Sequence, residues 1–454
     1  MPDNNSAGDA VERPKGLTRW QVQIFATLWA GYASYYLCRM NFSVAQPLIM
    51  AEFGWDKDII GLIPTVYAFS YAIGQFLNGQ LGEKFGARRM MTAAMTLAVV
   101  ANMLFSFANS LPLMLTLWAI NGYAQSAGWS LVVKTLTNWT TTRYRGLLVG
   151  LISTCYQVGN VLAWLLAGYV AGNYGWRAAF IVPSAILAAM TLSLWLFLRD
   201  DPRLAGFGRI RDDLGDTPKH ATVEEAMEAE KLPFLETMRL VLTNRVLWVL
   251  ALGYFCMNAV RYSFMNWAVT YMAEYHGQNI KESAFKAVAL PLIGAIGAVL
   301  AGWLSDRIFK GRRAPLCAIM LFGLAATCIG FVMIPRGETL IATAMLGLAG
   351  FLVYGPDMLM SGAATADVHP RAAAAATGFT MAMGNFGAMI SGAGIGWLIK
   401  RTRLGETSIK AALPDWMSAY FSEWLLVFVL LAVLAIFSAL LMTTIWNAKP
   451  KGAK

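Results

Sequence analysis

Arg39 stands alone in an apolar run. From Trp20 to Ala51 it is the only charged residue, within YYLCRMNF at 35–42. Arg261 repeats the pattern in GYFCMNAVRYSFMNW, as the only charge between 246 and 273. A charge at the centre of a bilayer costs about 2.5–3.5 kcal/mol on insertion scales. A guanidinium does not shed its proton on burial, so each arginine must face water, an acid or an anion. Its planar fork matches phosphate and carboxylate in a bidentate manner. Two forks facing one centre suit a dianion such as a phosphate monoester, whose charge near pH 7 is about −1.5 to −2. One further charge lies well inside a run, Asp357 in GFLVYGPDMLMSG. Its expected role is to balance an arginine in the empty site or to carry a proton.

The elements that hold these residues follow from composition. The 454-residue chain is 57% hydrophobic and 14% charged, with a mean hydropathy of +0.52. Its apolar residues fall in long blocks with charges between them, the pattern of a polytopic membrane protein. A helical span takes about 20 apolar residues. By that measure there are roughly twelve runs: 20–49, 58–81, 90–108, 111–139, 145–172, 176–198, 246–273, 284–305, 314–334, 339–365, 372–399 and 420–446. The expected fold class is an all-α membrane protein of twelve transmembrane helices in two pseudo-symmetric six-helix bundles, 20–198 and 246–446. Residues 199–245 read as a cytoplasmic linker with a short amphipathic helix near 221–231, and 1–19 and 447–454 as cytoplasmic tails. The net charge of +10 lies mostly between the runs. It reads as membrane orientation, with the lipid bilayer as partner and no nucleic acid.

Two loops resemble each other. GQLGEKFGARR begins at Gly79 and GWLSDRIFKGRR at Gly302, 223 residues later. Arg39 and Arg261 are 222 residues apart, so two independent features give nearly one period. Parallel six-helix repeats about an axis along the membrane normal are one transporter plan. The two arginines then face each other across the repeat interface. Gly79, Glu83, Arg88, Arg89 and their counterparts Gly302, Asp306, Arg312 and Arg313 are expected to latch the cytoplasmic side. Lys84, Arg88, Arg89, Arg143, Arg145, Arg307, Lys310, Arg312, Arg313 and Arg371 all lie in even-numbered loops. The positive-inside rule puts those loops and both termini in the cytoplasm. The stretch 400–415, expected outside, carries Lys400, Arg401, Arg403 and Lys410. It reads either as an exception in one loop or as an attractor for anions at the outer mouth.

Tyr36, Tyr71, Gln75, Gln125 and Asn385 are polar handles within the runs. Each alone also fits an interface anchor or a packing role. The five cysteines lie in apolar runs, without a disulfide framework or a metal spacing, and read as packing residues. His220, His276 and His369 have no metal-ligand company. No nucleophile triad, Walker loop or dinucleotide fingerprint opens a helix. No cofactor, no metal and no enzyme activity are expected.

The repeated loops resemble the loop motif of the major facilitator superfamily. YYLCRMNF, NGYAQSAGW at 121–129, RYSFMNW at 261–267, GFLVYGP at 350–356 and ATADVHPRAAAAATGFT at 363–379 together resemble the organophosphate:phosphate antiporter family. That family includes glycerol-3-phosphate, hexose-phosphate and phosphoglycerate transporters. The resemblance covers nearly the whole chain after residue 20. It implies exchange of inorganic phosphate for a phosphorylated metabolite by alternating access, in an inner-membrane protein expected to be a monomer. The family's two phosphate-binding arginines match Arg39 and Arg261. Tyr71, Gln125, Trp129, Tyr262 and Tyr354 match positions that line or flank the pore in relatives. The chain departs from many members in having Met40 in place of a second base, Gln75 in place of a lysine, Tyr156 beside Gln157 in place of a histidine, and Asn266 in place of an acid. The expected pore is therefore less basic than in the best-known members, and glycerol-3-phosphate itself is the less favoured ester.

In the expected mechanism two arginines repel each other across an empty site, and a bound phosphoryl group neutralises them so that the bundles can rock. Two rival readings stay open. One is a membrane sensor that passes ligand occupancy to a partner kinase. The other is a proton-coupled organic-anion symporter with Asp357 as the proton carrier.

Overall fold

The computed structural model describes residues 16–207, 234–310, 312–363, 373–406 and 421–447. Excepted are the side chains of 76, 79–80, 82–83, 142–143, 145–147, 234–238, 362–363 and 373–375. The helix expected near 221–231, Arg371, Lys410, His220, His369 and the Glu83 side chain lie outside this description.

Every regular element among the described residues is helical. The N-terminal half comprises α1 (Leu17–Phe53), the short α2 (Lys57–Ile60), α3 (Leu62–Phe85), α4 (Ala87–Phe105), α5 (Leu111–Gln125), α6 (Gly128–Asn138), α7 (Thr142–Tyr174) and α8 (Ala178–Phe197). The linker contributes α9 (Phe234–Thr243). The C-terminal half comprises α10 (Arg245–Glu274), α11 (Ile280–Ala287), α12 (Ala289–Arg307), α13 (Arg313–Val332), α14 (Thr339–Met358), α15 (Ala373–Met389), α16 (Ile395–Leu404) and α17 (Leu425–Thr444). α2–α3, α5–α6, α11–α12 and α15–α16 each form one crossing, so the twelve runs become twelve helical crossings in two bundles.

Eight of these crossings are long and apolar enough to span a bilayer on composition alone. The other four, α1, α2–α3, α4 and α5–α6, carry Tyr32, Tyr36, Tyr67, Tyr71, Asn102, Asn121 and Gln125. Polar residues lower the mean hydropathy of a helix whose interior face lines a cavity, and neighbouring helices make up the difference. α1 runs for 37 residues, longer than its apolar run. At 1.5 Å per residue it is about 55 Å long and projects beyond the hydrocarbon at its ends. Two wide π turns interrupt the C-terminal half, Leu359–Ala363 after α14 and Ile390–Gly394 between α15 and α16.

The halves meet tightly at the end that carries residues 54–58. A Cβ on Gly61 would sit 2.6 Å from the Gly392 carbonyl oxygen, and one on Gly396 would sit 2.0 Å from that of Lys57. Glycine is thus required for the two backbones to close there. Thr65 Oγ1 accepts the Ala393 amide at 2.8 Å inside the π turn, whose irregular backbone exposes that N–H. The α7 end packs against α11 in the same way, with Gly168 against Ala284. At mid-depth Asn385 donates to Gln75 across the halves at 2.7 Å. Among the described residues no ion pair joins the halves on the side of the termini.

Candidate functional site

Three side-chain amides fix the backbone that presents Arg39. Asn102 on α4, and Asn121 and Gln125 on α5, all donate to the Cys38 carbonyl, at 3.3, 2.9 and 3.1 Å. All three are buried, and the shared acceptor satisfies donors that hydrocarbon would leave bare. Gln125 then turns its oxygen to the arginine: Arg39 Nε donates to Gln125 Oε1 at 2.9 Å, and Tyr67 OH donates to the same atom at 3.2 Å. The guanidinium lies over Tyr36 at 4.7 Å, Tyr71 at 5.1 Å and Tyr67 at 6.0 Å. Each such face contributes about 0.5–2 kcal/mol of cation–π attraction. Among the described residues Arg39 has no carboxylate partner, and its Nη2 is buried without a hydrogen bond.

Arg261 is placed differently. Its Nη1 lies 2.8 Å from Asp357 Oδ1, and Tyr254 OH donates to that same oxygen at 3.0 Å. The side chains are 15% and 17% exposed, so the pair is largely out of water. Tyr354 and Tyr262 lie 4.9 and 5.4 Å from the guanidinium. A Cβ on Gly294 would come within 2.2 Å of the Tyr354 ring, so glycine on α12 makes room for it. Arg261 Nε is buried with no hydrogen-bond partner. Each half therefore offers one buried guanidinium nitrogen without a partner, and a buried unpaired donor costs about 1–3 kcal/mol.

Beside Arg39 lies a small cavity of ≈ 40 Å³, lined by Arg39, Tyr67, Tyr71, Tyr262, Asn266 and Asn385 among others; Arg261 is not in its wall, but its chain neighbour Tyr262 is. Both halves contribute to its wall. Asn385 and Gln75 close one side of it through their mutual bond. Trp129 and Tyr156 stand apart from the arginine, ring to ring at 4.7 Å, in a cluster with Tyr32 and Tyr36. A Cβ on Gly128 would meet the Tyr32 ring at 2.7 Å.

Among the described residues, no contact of the repeated loops joins the halves in this conformation. Arg88 is engaged within its own half: its backbone N–H donates to Asp200, and its guanidinium donates to the Trp195 carbonyl and lies over that ring at 4.5 Å. Arg89 and Asp306 are exposed, and Asp306 makes no ion pair among the described residues. Arg312 Nε donates to the Phe309 carbonyl at 3.4 Å, and Arg313 opens α13. Gly302 faces open space, and the surroundings of Gly79 lie outside the described residues.

A family model described as Major Facilitator Superfamily matches residues 28–392. A probable hexose phosphate transport protein of Chlamydia pneumoniae is 31% identical over 386 residues, 83% of this chain and 85% of its own length. The membrane sensor protein UhpC of Salmonella typhimurium is 31% identical over 430 residues, covering 95% and 92%. The chain belongs to the major facilitator superfamily, in its organophosphate:phosphate antiporter family. The glycerol-3-phosphate transporter of Bacillus subtilis is a further relative, 30% identical over 375 residues, with 81% and 84% covered. The fold of this superfamily member also matches a bacterial homologue of the lysosomal transporter Spinster, with a TM-score of 0.75 at 18% identity over 94% and 97% of the two chains.

Within this antiporter-family fold, the sequence missed Tyr67, Asn121 and Tyr254; of the two roles expected of Asp357, the contact with an arginine is present, and the arginine is Arg261. No local pattern marks those residues; their roles come from helix neighbours far apart in the chain. The expected repulsion of two bare arginines is also revised, since Asp357 already balances one of them.

Proposed function

We propose that this chain is a secondary transporter that exchanges a phosphorylated small metabolite for inorganic phosphate by alternating access. Sugar phosphates, phosphoglycerate and glycerol-3-phosphate are the candidate esters. The reading is carried by the two unpaired guanidinium donors, Arg39 Nη2 and Arg261 Nε, one from each half. A phosphoryl group has enough acceptor oxygens to take both, and its charge suits a centre that holds one arginine uncompensated. It draws Arg261 from Asp357 and joins the halves through its own oxygens. The bundles then rock about the loaded centre, because the ligand binds the occluded form better than either open form. Tyr36, Tyr71, Gln125, Tyr262 and Tyr354 hold the forks in place. Gln75 and Asn385 exchange their mutual bond for the ligand as the halves shift. Trp129 and Tyr156 offer ring faces to the organic part. Both termini and the linker face the cytoplasm, the membrane is the cell's inner one, and the carrier works as a monomer.

A second reading is favoured by one relative, the membrane sensor protein from Salmonella typhimurium. In that reading the same centre binds an organophosphate without moving it and passes occupancy to a partner kinase. Counterflow in proteoliposomes separates the two. Vesicles loaded with phosphate are given labelled phosphate outside, with the unaltered protein and with Arg39→Lys and Arg261→Lys. Exchange that needs both arginines supports the antiporter. Binding without exchange in folded protein supports the sensor. Uptake driven by a pH gradient without internal phosphate supports proton coupling through Asp357.

A further inference from the structure

The end of the molecule that carries residues 54–58 is closed by charge as well as by glycine. Three consecutive residues of the N-terminal half, Asp56, Lys57 and Asp58, meet four charges of the C-terminal half. Lys57 Nζ lies 2.6 Å from Glu274 and 2.9 Å from Glu423, with 10% of its side chain exposed. Lys400 Nζ lies 3.2 Å from Asp56 and 3.0 Å from Asp58, and Arg403 Nη2 lies 2.7 Å from Asp56. Every one of these contacts crosses between the halves. The bonds from Arg403 and Lys400 hold the Asp56 carboxyl below the usual carboxylate range. The bases at 400–403 thus belong to helix α16 rather than to a loop, and Lys400 and Arg403 have carboxylate partners.

Lys57 and the two acids beside it are placed for different work. Lys57 is walled in by two carboxylates and by the Trp424 ring at 5.7 Å. Lys400 and Arg403 are 31% and 51% exposed. Their acid partners lie on the other half, so the two bases lose those partners whenever the halves part at this end. An ammonium and a guanidinium left side by side form a subsite for an anion with two or more oxygens.

We propose that Asp56 and Asp58 are a tethered counter-anion for Lys400 and Arg403. With this end closed, the acids occupy the bases and lock the halves together. With it open, the same bases receive a phosphate-type anion as the first subsite on the way to Arg39 and Arg261. The arriving anion and the tether compete for one pair of donors, so arrival favours the open form and departure lets the clasp close. The landing subsite rests on the phosphate reading above; the lock does not.

The test uses the full chain with Ser43→Cys, which lines the cavity on the far side of the clasp. The five native cysteines are buried and set the background. An impermeant maleimide is applied to right-side-out and inside-out vesicles, so the clasped side is found by experiment. Two double variants are compared, Asp56→Asn with Asp58→Asn, and Lys400→Gln with Arg403→Gln. Both are expected to raise labelling from the clasped side about two- to fivefold, the scale of partly exposed ion pairs. Unchanged labelling in both overturns the lock. The KM for phosphate presented on that side separates the second role. The acid pair of substitutions frees the bases and lowers it; the base pair removes them and raises it. Shifts of the same sign overturn the landing subsite. A parent protein that neither binds nor exchanges phosphate overturns it too, together with the reading it rests on, while the labelling still reports on the lock.

Discussion

Arg261 lies 2.8 Å from the carboxylate of Asp357, whereas Arg39, its counterpart in the other half, lies 2.9 Å from the neutral amide of Gln125. The centre therefore holds two arginines and one acid, a fixed charge of one. In Asp357→Asn the competing carboxylate is gone. Phosphate KM is expected to fall about tenfold, the scale of a close charge pair of about 1.5 kcal/mol. Turnover is expected to slow, because binding gained equally in the resting complex does not speed the crossing. Initial exchange rates over a range of phosphate concentrations measure both.

Gln125→Glu makes the mirror change. It gives Arg39 an acid and brings the centre to zero. Phosphate KM is expected to rise about tenfold by the same coupling. The double variant Gln125→Glu with Asp357→Asn returns the fixed charge to one on the opposite half. It is expected to recover most of the lost affinity. A double variant with the KM of Gln125→Glu alone would show that Asp357 does not act on the ligand that Arg39 holds.

Lysine keeps the charge of either arginine but not the fork. Arg39→Lys gives up the bond from Nε to Gln125 and the faces of Tyr36 and Tyr71 together. Exchange is expected to fall at least about thirtyfold, the low end of the loss on breaking a desolvated charge contact, about 2 kcal/mol. Near-normal counterflow in both lysine variants would sink the two-fork centre.

Gly396→Ala places a methyl group where the Lys57 carbonyl oxygen stands, 2.0 Å away. The clasped end is expected to stay ajar. Spin labels at the exposed positions Leu62 and Leu404 are expected to give a longer mean distance by pulsed EPR than in the parent.

His276 lies between α10 and α11, 7% exposed, with Tyr271 and Tyr275 at 5.1 and 4.9 Å. Burial, and then the nearby Lys286, push it down to about 4 from an ordinary value of 6.5. The unfolded chain takes the proton first, so the native form loses stability as pH falls from about 6.5 to about 4, by at most about 1.4 kcal/mol per pH unit. Below that window no further loss comes from this group. His276→Phe keeps the ring contacts and is expected to flatten thermal melts across the window.

The helical plan was legible because apolar runs and their 222-residue period are one-dimensional signals. The two central arginines were legible for the same reason: a charge inside such a run has no innocent place. What a run does not reveal is the partner across the bundle. Gln125 could be noted as an amide, but its bond to Arg39 depends on how α5 is turned by Asn102, Asn121 and the Cys38 carbonyl. The bases near residue 400 broke the positive-inside pattern, and the two explanations offered were an exception or an attractor. Their carboxylate partners stand more than 340 residues earlier in the chain, at Asp56 and Asp58. Helix α16, by running on to Leu404, carries those bases to them.

The Arg261–Asp357 pair has an electrical consequence. A site of charge +1 that takes up a dianion becomes −1, so a loaded carrier and an empty one feel the membrane field with opposite sign. One elementary charge moved through 100 mV is worth about 2.3 kcal/mol. Under the proposed exchange, where both ligands cross as dianions, the charge movements of the two loaded crossings cancel, so voltage neither drives nor opposes the cycle. The ratio of the two phosphates across the membrane is then the whole driving force, and any current under exchange conditions measures how often the carrier returns with nothing in it.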